Sequence, residues 1–401
     1  MARDRNAING VFLNLCIMGF FAILSSTMSK SPVLKPFSLS LGTPTNWTGV
    51  VASASTIPGI LVSLPVASLS DIYGRKKFML IAGFIFASAP FLYLLINVWW
   101  QLILVRFYHG FATAIFMPVA EASIAELFPT KRGERISLFS SATYVGRVIA
   151  PALGGYILFV TAENFHMLYL CVAVAGVTAL ITALPFLRGE EHIVSTQKPN
   201  SRGVVKKIFH GWRTVLHTRG VLNASFVQAS LYYVYGSVEF FLVGYLLEVA
   251  GLNDFLAGII IMSIIGIAII TKPYMGRLSD KIGRRKPIIL GCIISAAPLM
   301  IIPFIKNFWI ILLLTLIYGF GFASVTASTP ALISELTPKE LVGTSMGFLD
   351  TIMDVGQALG PIISGLILAT SLQYFGVFLS LSILLLLADL SFILSKIPIH
   401  K

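Results

Sequence analysis

Charge is what this chain has least of. Asp, Glu, Lys and Arg make up 11% of its 401 residues, where soluble domains carry roughly 25%. Hydrophobic residues make up 56%, and mean hydropathy is +0.87. That much apolar surface excludes a water-soluble domain and leaves a polytopic membrane protein. Cysteine is also scarce. Cys16, Cys171 and Cys292 are odd in number, far apart and inside apolar runs. They form no disulfide framework and no metal-ligand spacing, so they read as small packing residues. No Gly-Lys dipeptide occurs anywhere, which removes the Walker A loop and with it ATP-driven transport encoded here. No H-E-x-x-H pair occurs either. The expectation is therefore no enzyme, no metal and no cofactor. Acidic residues are the rarer charge, 17 against 29 basic, for a net +12. Nucleic-acid binding would need the basic residues on one exposed face. Here they lie in short loops between apolar runs, which fits anionic lipid headgroups and argues against a nucleic-acid partner.

What is there is a series of long apolar runs. About twenty residues cross a bilayer as a helix. On that ruler twelve spans are predicted, near 8–28, 47–67, 78–97, 99–126, 136–160, 165–187, 220–247, 256–275, 287–305, 308–334, 344–369 and 374–395. The first follows Arg3 and Arg5 without an A-x-A-like cleavage site, so it reads as a retained helix rather than a signal peptide. Residues 188–219 are polar and charged and separate two sets of six. The predicted domains are 1–187, a linker over 188–219, and 220–401. Within the linker, Val204, Val205, Ile208, Phe209, Trp212, Val215 and Leu216 share a helical face, as in a helix lying on the membrane surface. With the N-terminus inside, 23 of the 29 Lys and Arg fall on inner segments. Lys30, Lys35 and Lys306 fall outside, and Arg106, Arg147 and Lys272 lie within spans. The positive-inside rule then places both termini, and the linker, in the cytoplasm of a cell-membrane protein.

The chain also repeats itself. Gly276-Arg-Leu-Ser-Asp280-Lys-Ile-Gly283-Arg284-Arg285-Lys286 has a copy 209 residues earlier, Ala67-Ser-Leu-Ser-Asp71-Ile-Tyr-Gly74-Arg75-Lys76-Lys77. Glu126-Leu-Phe-Pro129 matches Glu335-Leu-Thr-Pro338, and Gly110 matches Gly319, at the same offset. Gly146, Pro151 and Gly155 match Gly356, Pro361 and Gly365 at 210. An internal duplication accounts for all of these.

The repeated loop resembles the signature of the major facilitator superfamily, most nearly its twelve-helix drug:proton antiporter type. The earlier copy departs from the pattern at Ala67, where the family has Gly. The resemblance implies an all-α polytopic membrane protein, with twelve transmembrane helices in two pseudo-symmetric six-helix bundles. It also implies a substrate site near the midplane between them. In that reading Asp71, Gly74 and Arg75 with Glu126, and Asp280, Gly283 and Arg284 with Glu335, form a gating latch at the cytoplasmic side. A small residue at 67 or 276 would let the loop press on a neighbouring helix. Arg106, followed at four residues by Gly110, resembles the family's fourth-span motif, tied there to proton coupling or substrate charge. Gly146, Pro151, Gly154 and Gly155, repeated as Gly356, Gly360 and Pro361, resemble the fifth-span motif of antiporters and read as a helix-packing motif.

Intramembrane charges are functional candidates by default. They are Arg106, Glu121, Arg147, Glu239, Asp350 and Asp354, with Lys272 and Asp389 nearer the inner ends and expected to snorkel or pair at the surface. Asp350 and Asp354 stack one helical turn apart, and Glu121 and Arg147 are close enough in depth to pair. Gln228, Tyr232, Tyr233 and Tyr235 line one stretch of the seventh span. The expected function is proton-coupled export of small organic or amphipathic compounds by alternating access. Protons, a small-molecule substrate and membrane lipids are the partners, and the protein is expected to be monomeric. The alternatives are proton-coupled uptake of a small anionic metabolite, and a non-transporting membrane sensor or scaffold.

Overall fold

The computed structural model describes residues 2–184, 219–338 and 341–395, apart from the side chains of 2–9, 64, 67, 68, 71, 72, 219 and 343. The linker, with its expected surface helix, lies outside these residues except for Arg219. Among the described residues every regular element is helical. In lipid the backbone must satisfy its own hydrogen bonds, and helices do this within one segment.

The first half holds α1 (Ala2–Met28), α2 (Leu34–Ser40), a short 3-10 turn at Thr45–Trp47, α3 (Thr48–Ser53), α4 (Ile57–Tyr73), α5 (Arg75–Tyr93), α6 (Trp99–Leu127), α7 (Arg132–Val160) and α8 (Phe165–Ala183). The second half holds α9 (Arg219–Glu248), α10 (Asp254–Ile282), α11 (Arg285–Ile301), a 3-10 turn at Ile302–Phe304, α12 (Phe308–Leu336), α13 (Val342–Leu368) and α14 (Gln373–Leu394). Asparagine side chains start three of them. Asn164 accepts the Met167 amide at 3.1 Å, Asn253 the Leu256 amide at 2.9 Å and Asn307 the Trp309 amide at 2.9 Å. Such caps satisfy amides that a helix start leaves without intrahelical partners.

Eleven of these helices are long and apolar enough to cross a membrane. The twelfth span is divided between α3 and α4, with a turn at 54–56. Pro58 explains the break, because it lacks the amide that would bond back to residue 54. Twelve membrane helices thus form two bundles, and the bundles share a pairing plan. α1 packs on α7, as α9 does on α13. α5 packs on α8 and α6, as α11 does on α14 and α12.

Packing divides the chain into two compact units. One holds α1, α2, α4 to α8 and Asn253–Met262. The other holds Pro44–Ser53, α9, and the chain from Ser263 onward. The segments Pro44–Ser53 and Asn253–Met262 lie 209 residues apart, so they are equivalent copies in the repeat, each packed with the other half's helices. Glycines permit this. A Cβ on Gly49 would lie 1.9 Å from the Pro361 carbonyl oxygen, and one on Gly258 would lie 2.3 Å from that of Pro151.

Candidate functional site

The duplicated loops place their charges first. Gly74 and Gly283 end α4 and α10 at φ +95° and +85°, a backbone region that residues with a Cβ rarely enter. The turn aims the next side chain at the end of the fourth helix of its bundle. Arg75 Nη2 lies 2.6 Å from Glu126 Oε1. Arg284 donates from Nε to Glu335 Oε1 at 2.9 Å and from Nη1 to Ser279 Oγ at 2.7 Å, and it also pairs with Asp280. Partial burial by itself lowers the Arg284 pKa, but the Glu335 and Asp280 carboxylates outweigh it and the net shift is upward. The side chain of Asp71 lies outside the described residues. Gly276 is a correction. It sits inside α10, and a Cβ there would meet nothing within 4 Å. It is not small in order to accommodate a neighbour.

Arg106 is buried in the first bundle and donates from Nη2 to Ser55 Oγ at 2.6 Å. The break at 54–56 brings that serine there. Gly110 lets it approach, since a Cβ at 110 would lie 2.3 Å from the Ser55 carbonyl oxygen. The second bundle repeats the packing without the charge. Gly319 faces the Ile264 backbone, and Thr315, the counterpart of Arg106, meets the Ser263 hydroxyl at 3.2 Å. His109 joins the Arg106 cluster unpredicted. Its Nδ1 is 3.5 Å from both Ser29 Oγ and Tyr93 Oη, and its Nε2 is buried without a partner. Tyr93 stacks on Tyr169 at 4.4 Å. The residues at 93, 109 and 169 carried no sequence signal beyond an apolar setting, because their meeting depends on three helices.

The glycine-rich motifs are seams. A Cβ on Gly146 would lie 2.6 Å from the Phe20 carbonyl oxygen, and one on Gly356 2.3 Å from that of Ala229. Gly360 meets Tyr233, Gly155 meets Asp254, and Gly154 meets Met28 and Val33. Pro151 and Pro361 each present a carbonyl to a glycine of α10 or α3.

The remaining charges are spread over α6, α7, α9, α10, α13 and α14. Glu239 is buried in α9. Asp354 is half-buried and Asp350 exposed, one turn apart on α13. Glu121 and Arg147 are both half-buried, and no ion pair joins them among the described residues. Lys272 is exposed. Asp389, expected at the surface, is instead 3% exposed with Oδ1 lacking a partner. The faces of α14 and α11 that meet there decide this, and depth along the helix does not reveal it. Gly343-Thr-Ser345-Met-Gly347 matches a hydrolase pattern by letter. It falls within α13, however, and Ser345 is fully buried and accepts the Thr337 hydroxyl at 3.2 Å. No group of three or more possible metal ligands occurs among the described residues.

Comparison with known proteins agrees with this arrangement. A multi-drug resistance efflux pump PmrA homologue of Lactococcus lactis is 26% identical over 87% of this chain and 86% of its own. The multidrug resistance protein MdtG of Dickeya zeae is 27% identical over 83% of this chain and 80% of its own. The crystal structure of a bacterial homologue of the human lysosomal transporter Spinster, inward-facing and unoccupied, superposes with a TM-score of 0.82 at 16% identity, covering 96% of each chain. The Major Facilitator Superfamily model matches residues 11–271 and 265–400. With two duplicated helical bundles, paired signature loops and a buried arginine in the fourth span, the chain belongs to the Major Facilitator Superfamily and is an integral membrane transporter.

Proposed function

We propose that this transporter exports small organic compounds by proton-coupled alternating access. One observation carries the reading. Positions 106 and 315 are equivalent and pack alike, yet the first holds a buried arginine and the second a threonine. The packing does not need the charge, and a buried charge without a structural necessity is a candidate for function. Arg106 is assigned the organising cation, and Glu121, Glu239, Asp350 and Asp354 are candidate carriers of proton or substrate charge. The pairs Arg75–Glu126 and Arg284–Glu335 are assigned the role of latches that hold one end of the bundles closed and release it in turn. One relative named as a multi-drug resistance efflux pump, and another named as a multidrug resistance protein, support the outward direction. The charge distribution supports cytoplasmic termini, and the chain is taken to work as a monomer.

The test is transport in proteoliposomes with an imposed pH gradient, across a broad panel of organic compounds. Substrate-linked proton movement that disappears in an Arg106→Ala variant is the expected result. No proton movement with any compound would overturn the coupling. A second reading, uptake of a small anionic metabolite, is favoured by Arg147, which is half-buried in α7 with no carboxylate paired to it among the described residues. Anion binding that disappears in Arg147→Ala would select that reading.

A further inference from the structure

The first bundle departs from the second where α1 ends. α9 runs unbroken from Arg219 to Glu248, but its counterpart stops at Met28 and resumes as α2 at Leu34. Pro32 and Pro36 lack the amides that would bond back to residues 28 and 32. The break gathers polar side chains from several helices. Ser29 Oγ lies 3.5 Å from Nδ1 of His109 on α6, and the Tyr93 ring of α5 meets the His109 ring at 5.9 Å. Tyr93 stacks on Tyr169 of α8, and the Tyr169 ring lies 5.2 Å from that of Phe37 on α2. All of these side chains are buried, as is Ser31. Ser31 Oγ, Tyr169 Oη and His109 Nε2 have no hydrogen-bond partner among the described residues. The other bundle does without such groups. At the 209-residue offset Val238, Phe240, Ile302 and Phe378 stand where Ser29, Ser31, Tyr93 and Tyr169 do, and all four are buried. Packing therefore does not call for the polar groups, and leaving them buried without partners is costly.

Charge and proton placement set the sign of a ligand. The Ser31 and Tyr169 hydroxyls each have a proton to donate. The Ser29 hydroxyl donates to the Ser26 carbonyl at 2.8 Å, so the Tyr93 hydroxyl, 3.5 Å away, is the one left to donate to His109 Nδ1. The imidazole proton then sits on Nε2, a third donor. The charged group whose field reaches Tyr93, His109 and Tyr169 is Arg106. Lys30 and Lys35 flank Ser31 in the chain, and no Asp or Glu occurs between Asp4 and Asp71 or between Asp71 and Glu121. Burial strengthens a positive field, and an anion taken out of water needs donors around it. We propose that the break between α1 and α2 binds a small inorganic monovalent anion of the size of chloride or bromide, with Ser31 Oγ, Tyr169 Oη and His109 Nε2 as donors and Arg106 as the counter-charge. The site is a resident ligand of the first bundle, separate from the transported compound and from the proton.

The experiment is thermal unfolding of the purified full-length protein in detergent, titrated with sodium chloride or sodium bromide while sodium gluconate holds the ionic strength constant at fixed pH. Both halides should raise the melting temperature along a saturating curve, and potassium in place of sodium should change nothing. Ser31→Ala and Tyr169→Phe each remove one donor and almost no volume, and each should weaken the apparent affinity about tenfold. Tyr318→Phe, which removes the buried hydroxyl at the His109 position of the second bundle, should leave it unchanged. Size-exclusion profiles and halide-free melting curves confirm that each variant is folded, and if Ser31→Ala is not, Tyr169→Phe decides. A flat or unsaturable response, a curve that changes with potassium, or unchanged affinity in the folded variants overturns the site. The titration needs no substrate and no gradient, so its failure is distinct from a failure of proton-coupled export, which only the proteoliposome assay reads.

Discussion

Arg106 and Asp389 show why burial alone does not define a functional charge. Both are almost fully enclosed. Arg106 has a hydroxyl partner, a cluster of polar rings around it and an uncharged counterpart at Thr315. Replacing it by the residue its duplicate carries should therefore preserve the bundle. Arg106→Thr is expected to melt within a few degrees of the parent while losing substrate-linked proton movement, and transport at the parent rate would remove Arg106 from the mechanism. Asp389 has an oxygen with no partner, and such a group costs about 1–3 kcal/mol. Asp389→Leu, close in volume and apolar, should raise the melting temperature in detergent and leave transport intact. A fall in melting temperature would mean that Asp389 is satisfied in the membrane. The motif around Arg106 could be read from the sequence because its spacing is local. Burial of Asp389 could not, since it depends on which faces of α11 and α14 meet.

At the scale of helices, glycine has two unlike uses that look the same in sequence. Gly110 and Gly276 both lie inside helices. A Cβ at 110 would strike the Ser55 backbone, and one at 276 would enter open space. Gly110→Ala should destabilise by about 1–3 kcal/mol because backbone cannot move aside as a side chain can. Gly276→Ala should be neutral or gain up to about 1 kcal/mol from helix propensity. Thermal unfolding of the two variants side by side tests the distinction, and equal shifts would count against it. The seams at Gly146, Gly356 and Gly360 were foreseeable from small residues recurring near a proline. Gly49 and Gly258 carry no such signal, although they sit 209 residues apart, because each is a lone glycine whose neighbour belongs to the other half of the sequence.

At the scale of the whole molecule, the two loops that begin at Gly74 and Gly283 carry matching ion pairs. Side chains of Glu126 and Glu335 are 47% and 55% exposed, and pairs of that kind contribute about 0–1 kcal/mol. Acting as the proposed latches, pairs of this strength would bias a conformational equilibrium by at most about fivefold. Glu126→Gln should therefore raise the labelling rate of cysteines placed at that end of the bundles by a few-fold, with Glu335→Gln doing the same. Asp71→Asn should act in the same direction and slow transport. Unchanged labelling and transport in all three would reduce the loops to orientation signals.

The sequence by itself determined the solvent, the number of membrane spans, the duplication and the family. Each rests on composition or on repeats along the chain, which survive without any knowledge of contacts. Twelve apolar runs leave a bilayer as the only environment that covers them. Tertiary structure alone decided which residues meet. It turned Pro58 and Gly110 into a socket for Ser55 beside Arg106, brought His109 and two tyrosines to the same place, buried Asp389, and packed Pro44–Ser53 and Asn253–Met262 each with the opposite half. The physical reason is that side-chain facing is set by helix rotation and crossing. A run of apolar residues fixes how far a helix reaches through the membrane and leaves its rotation to the neighbours it packs against.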